Sequence, residues 1–67
     1  MITILCNGES RRLEREMSVE ELLAFLGLNP ETVVAELDGR ILSRPDYAVT
    51  KLTEGATLEL IRFVGGG

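Results

Sequence analysis

The chain has 67 residues, one cysteine, no histidine and a net charge of -4, from eleven acidic and seven basic residues. That length allows one domain with one small core, and the residue counts exclude an intramolecular disulfide and a histidine-containing zinc set. An acidic balance with no basic stripe argues against a nucleic-acid partner, and the apolar runs are too short to span a bilayer.

The first element in chain order is "ITILC", apolar and β-branched, followed at once by Asn7-Gly8. Asn-Gly is a hairpin signal because both central positions of a type I′ turn require positive φ. Alternation puts Ile2, Ile4 and Cys6 on the core face and Thr3 and Leu5 outside. The return strand, Ser10 to Arg15, carries only Leu13 as an apolar residue, a composition suited to a sheet edge. Arg11, Arg12 and Arg15 are interrupted by Glu14 and followed by Glu16, so they read as a solvated strand face.

Ser18 opens a helix. Glu21 lies three residues on and completes a capping box, and Val19, Leu22, Leu23 and Leu26 follow at helical spacing. Met17 precedes the cap as a packing residue, and Gly27 supplies the stop. Asn29-Pro30 starts a short turn. "VVAEL" then reads as a strand with Val33, Ala35 and Leu37 on one face, and Asp38-Gly39 turns it into "RILS". Residues 44–53 read as an irregular connection in which Tyr47, Val49 and Leu52 tuck against the core. After Glu54-Gly55, the last strand runs from Thr57 to Val64.

The order ββαββ predicts an α+β domain, a mixed sheet of four or five strands covered on one face by one helix. The expected division is a single domain over 1–64 and a flexible glycine tail over 65–67. In the last strand, Leu58 and Leu60 face the helix while Glu59, Ile61 and Phe63 face away. Leu5, Ile61 and Phe63 are therefore the candidate partner-binding surface, an exposed apolar patch beside the tail.

No catalytic constellation is visible. Cys6 has no imidazole to activate it, and an apolar strand raises a thiol pKa. Glu20 and Glu21 suit the positive end of the helix dipole, and Lys51 has no obvious partner. Gly65, Gly66 and Gly67 follow a strand with no helix after them, so they do not form a phosphate loop. They make an arm reaching about 10 Å when extended, slender enough to thread a narrow channel. Its terminal carboxylate becomes an acyl donor once its oxygen is made a leaving group. A lone thiol and no leader-like segment set the expectation of a reducing, cytoplasmic location.

The "NGE" hairpin, "SVEELLAFLGL", "AELDG", "EGATLELI" and the terminal "VGGG" together resemble the ThiS family of sulfur carriers, small β-grasp, ubiquitin-like proteins of thiamine biosynthesis. The resemblance implies that a ThiF-type enzyme uses ATP and Mg²⁺ to adenylate the Gly67 carboxylate, with no cofactor or metal bound by the carrier itself. It implies that a cysteine desulfurase supplies sulfur for a thiocarboxylate, and that a ThiG-type thiazole synthase accepts it. The family motif maps onto Gly66 and Gly67, and Gly65 is an addition to it. The family's partner face, opposite the helix, falls on Leu5, Ile61 and Phe63. A MoaD-like subunit of molybdopterin synthase shares the tail chemistry and stands as the alternative. A protein modifier joined to lysines and a ubiquitin-like interaction module without tail chemistry are further readings.

Overall fold

A computed structural model describes residues 1–63. Strand β1 (Ile2–Cys6) turns through Asn7-Gly8 into β2 (Glu9–Leu13). Asn7 at φ 52° and Gly8 at φ 80° give the two positive φ angles that a type I′ turn demands. A two-residue strand, β3 (Met17–Ser18), leads directly into helix α1 (Val19–Phe25). The capping box is formed: the Glu21 amide donates to Ser18 Oγ at 3.0 Å, and the Ser18 amide donates to Glu21 Oε1 at 2.9 Å. At the other end, Leu28 N–H reaches Leu23 C=O at 2.9 Å and Gly27 N–H reaches Ala24 C=O at 3.1 Å, a Schellman closure.

A single 3₁₀ turn at Pro30–Thr32 precedes β4 (Val33–Leu37), and Asp38-Gly39 turns β4 into the short β5 (Arg40–Ile41). A second 3₁₀ turn at Arg44–Tyr47, the short β6 (Lys51–Leu52) and β7 (Thr57–Arg62) complete the chain. The main sheet has the order β2-β1-β7-β4-β5. Strands β1 and β7 are parallel, and the other neighbours are antiparallel. A second, two-stranded sheet joins β3 to β6.

The α+β architecture and the mixed sheet under one helix agree with the sequence. The helix buries Val19, Leu22 and Leu23 against Ile4, Ala35, Leu58 and Leu60 of the sheet, with Leu13, Val33 and Leu52 closing the ends. The connection over 44–53 differs from the expectation, being a 3₁₀ turn followed by a paired strand. Tyr47 and Leu52 are buried as expected, but Val49 is 75 % exposed, a correction to its assigned place in the core. The cause is the turn that ends the 3₁₀ segment. Val49 N–H and Thr50 N–H both bond to Asp46 C=O, at 3.2 and 2.9 Å, and the chain reverses with Val49 at its apex.

Tyr47 shows why a short β5 suffices. β5 pairs only with Glu36 and Leu37, which leaves the outer edge of β4 open at its start. The buried Tyr47 hydroxyl occupies that edge, donating to Val33 C=O at 2.7 Å and accepting from Ala35 N–H at 3.2 Å. Leu42 N–H takes Ala35 C=O at 2.9 Å. Buried backbone groups there are thus satisfied without a longer strand.

Candidate functional site: the open sheet face

The strand that leads toward the glycines is the middle strand of the sheet, and it is tied on both sides. The hairpin turns at either flank each lend it a side chain. Asn7 Oδ1 accepts from Leu60 N–H at 2.7 Å, and Asn7 Nδ2 donates to Leu60 C=O at 3.2 Å. Its amide thereby continues the β1 ladder after the backbone has turned away. Asp38 Oδ1 accepts from Thr57 N–H at 2.9 Å, at the start of the same strand. Phe63 N–H bonds to Thr32 C=O at 3.1 Å, so pairing on the β4 side runs to the last described residue.

With Leu58 and Leu60 buried toward the helix, Ile61 is 57 % and Phe63 48 % exposed on the opposite face. Leu5, 44 % exposed, shares that face. These positions do not form one tight cluster. Leu5 stands level with Thr57 in the β1–β7 register, so it lies about 13 Å back from Ile61 along the strand. Ile61 and Phe63 instead have Val34 as a neighbour, directly across from Ile61 on β4.

Two further features of the face were not singled out from sequence. Ile41 is 72 % exposed and stands opposite Glu36, and Glu36 stands opposite Glu59. The alternation of "VVAEL" and the two-residue Asp38-Gly39 turn contain this register, which needs the β4–β7 pairing to become a surface. Val64, Gly65, Gly66 and Gly67, and with them the expected end of the last strand and the tail residues, lie outside the described residues.

Elsewhere the chemistry is quiet. Cys6 is buried, and desolvation pushes its thiol pKa up, with Glu59 and Glu9 acting in the same direction and Arg11 against them. That leaves it a poor nucleophile. Among the described residues no three His, Cys, Asp or Glu side chains come together as metal ligands. No described helix is long and apolar enough to cross a membrane. A groove of about 330 Å³ lies at the other end of the sheet, between the end of β2 and Phe25, lined by Arg12, Leu13, Glu14, Arg15, Met17 and Phe25.

A five-stranded mixed sheet wrapped over one helix, with the strand before the glycines at its centre, defines a β-grasp domain of the ubiquitin-like kind. Residues 4–67 match the ThiS family, and the chain belongs to that family of sulfur carriers of thiamine biosynthesis. The crystal structure of a thiamine biosynthesis protein (ThiS) from Geobacter metallireducens superposes with a TM-score of 0.85. It is 30% identical, and the match covers 98% of this chain and 100% of that one. Proteins named thiazole synthase from Paramagnetospirillum magneticum and Magnetococcus marinus are 36% identical over 64 residues and 38% identical over 61 residues. Those matches cover 96% and 91% of this chain, which spans only 20% and 19% of the length of those relatives.

Proposed function

We propose that this protein carries sulfur on its C-terminal glycine. The Gly67 carboxylate attacks the α-phosphate of ATP in a ThiF-type adenylating enzyme that supplies Mg²⁺, and pyrophosphate leaves. The terminal sulfur of the persulfide that a cysteine desulfurase forms then displaces AMP at the carbonyl carbon, and a thiol cleaves the resulting acyl disulfide, leaving the thiocarboxylate on Gly67 and a disulfide behind. A ThiG-type thiazole synthase takes the sulfur into the thiazole ring. In this reading residues 1–64 are one domain, Gly65 and Gly66 form the arm that threads the partner's channel, and Leu5, Ile61 and Phe63 belong to the docking face. The setting is the reducing cytoplasm.

The observation that carries the reading is the family match, which runs through the glycines to residue 67. It is supported by the relatives named thiazole synthase, in which a domain like this one shares a polypeptide with a much longer remainder. The reading draws further support from the exposed apolar side chains on the face opposite the helix, which a partner would cover without disturbing the core. Incubation with ATP, a desulfurase and the adenylating enzyme, followed by intact-mass and peptide analysis, tests it. The expected product has one oxygen replaced by sulfur in the last peptide. Sulfur found on Cys6, with the tail unchanged, would overturn the proposal.

A further inference from the structure

The two sides of β7 are held by different means. On the β4 side, backbone pairing runs from Leu37 opposite Leu58 to Val33 opposite Arg62, and the Phe63 amide adds its bond to Thr32 C=O. On the β1 side the backbone register stops at Cys6 opposite Leu58, because the chain turns away through Asn7-Gly8. Asn7 N–H still reaches Leu58 C=O at 2.9 Å. Past that point, the Asn7 carboxamide on Leu60 supplies the last hydrogen bonds to β7 from the β1 side among the described residues. It acts three residues before Phe63, where the described chain leaves the sheet.

The turn alone does not call for this side chain. Asp38 takes the same place in the other hairpin, at φ 50° against 52° for Asn7. Asp38 N–H bonds to Thr57 C=O at 2.8 Å, so only Thr57 N–H is left to satisfy, and a carboxylate oxygen accepts from it at 2.9 Å. At Asn7 the backbone N–H is committed to Leu58, which leaves both Leu60 N–H and Leu60 C=O facing the turn. One acceptor and one donor are needed on a single short side chain, and a carboxamide has both.

We propose that Asn7 is a positioning residue for the reaction at the C-terminus. By holding Leu60 from the β1 side, it fixes the direction in which β7 leaves the sheet and so aims the end of the chain at the partner's reaction centre. The inference rests on the carrier reading above. Asn7 touches no reacting atom and acts only through β7. A strand tied on both sides is confined, whereas one tied on a single side can swing about its remaining ladder. Without the carboxamide, Ile61 to Phe63 would hang on β4 alone, about 10 Å of strand beyond Leu60.

The test compares the parent with N7G and D38G. Each variant puts glycine at a left-handed position, which glycine accepts freely. Each also removes side-chain bonding to β7, one near the strand's exit and the other at its start. The measurements are kcat and KM for the carrier in pyrophosphate exchange well below the melting temperature, hydrogen exchange at the Phe63 amide, and thermal unfolding. N7G should lower kcat about tenfold, part of the ~100-fold loss that a misplacement of ~1 Å can cause, and should speed exchange at Phe63. D38G should keep the parent values of both, even where the two variants lose similar melting temperature. N7D keeps the turn and the acceptor but lacks the donor, so it carries the test if N7G does not fold, with a kcat between those of parent and N7G. Equal losses in N7G and D38G would overturn the proposal, since the role would then be structural only. A parental kcat in N7G or N7D would overturn it too, while leaving the carrier function intact. A parent that is not adenylated at all would instead remove the carrier reading, and this inference with it.

Discussion

Phe63 closes the described chain, half-exposed on the open face and held by its own amide to Thr32. An aromatic ring on a backbone fixed by a sheet is an anchor already paid for in conformational entropy, and truncating such an anchor at an interface costs about 2 kcal/mol or more. Phe63→Asp should therefore fold normally by circular dichroism and bind the adenylating enzyme far more weakly in titration. An unfolded variant would mean that Phe63 supports the core. Glu21 acts on stability rather than docking. The Ser18 amide that bonds its carboxylate, with nearby Arg15 helping, holds its pKa below the ordinary glutamate value. A depressed folded-state pKa means stability that is present at neutral pH and lost as pH falls through that lowered value. Glu21→Gln should remove this part of the acid dependence, so that parent and variant melting temperatures converge below the usual glutamate range. Parallel pH profiles would count against it.

Among the elements, the hairpins and the helix were legible because their causes are local. Asn7-Gly8 and Asp38-Gly39 dictate turn geometry within two residues, and Ser18 with Glu21 sets the helix start within one turn. The side-chain bonds that complete the sheet were not legible. Asn7 meets Leu60 from 53 residues away, and Tyr47 meets Val33 across 14. Nothing in the local pattern distinguishes an asparagine that only turns the chain from one that also pairs with a distant strand. The exposure of Val49 was missed for a related reason, since the Asp46 carbonyl that turns the chain there outweighs an apolar residue's preference for the core. On the candidate site, outward phase was readable for Leu5, Ile61 and Phe63, while their separation required the parallel β1–β7 register. Tyr47→Phe isolates one of the hidden bonds. It keeps the ring in the core and strips the partners from Val33 C=O and Ala35 N–H, an unsatisfied pair that costs about 1–3 kcal/mol. Denaturant unfolding should show that loss with an unchanged slope, and an equal midpoint would mean that water fills in.

For the whole molecule, the proposed function divides the labour between the sheet face, as the docking surface, and the terminal glycines, as the reacting end. Gly66→Val should separate the two. It adds a branched side chain beside the reacting carboxylate and restricts a backbone that glycine leaves free. Docking and melting temperature should stay near the parent values. Pyrophosphate exchange should fall by about 100-fold or more, the penalty for displacing a reacting centre by ~1 Å. A variant adenylated as fast as the parent would end the threading model, and Gly65→Ala, farther from the carboxylate, should be milder.

The Asn7 clamp also sets how this protein ages. In an Asn-Gly pair the glycine amide nitrogen can attack the asparagine side-chain carbonyl, expelling ammonia. Water then opens the resulting ring to aspartate or isoaspartate. In the folded chain both polar atoms of that carboxamide are held by Leu60, so the attack must wait for the clamp to open. Damage is then expected to follow unfolding and to oppose refolding. The product has lost its amide donor and holds a carboxylate toward the Leu60 carbonyl, beside the strand that leads to the tail. Peptide mapping after matched incubation in buffer and in urea should find deamidation at residue 7 much faster in the unfolded chain. Equal rates would show that the sheet offers this bond no protection.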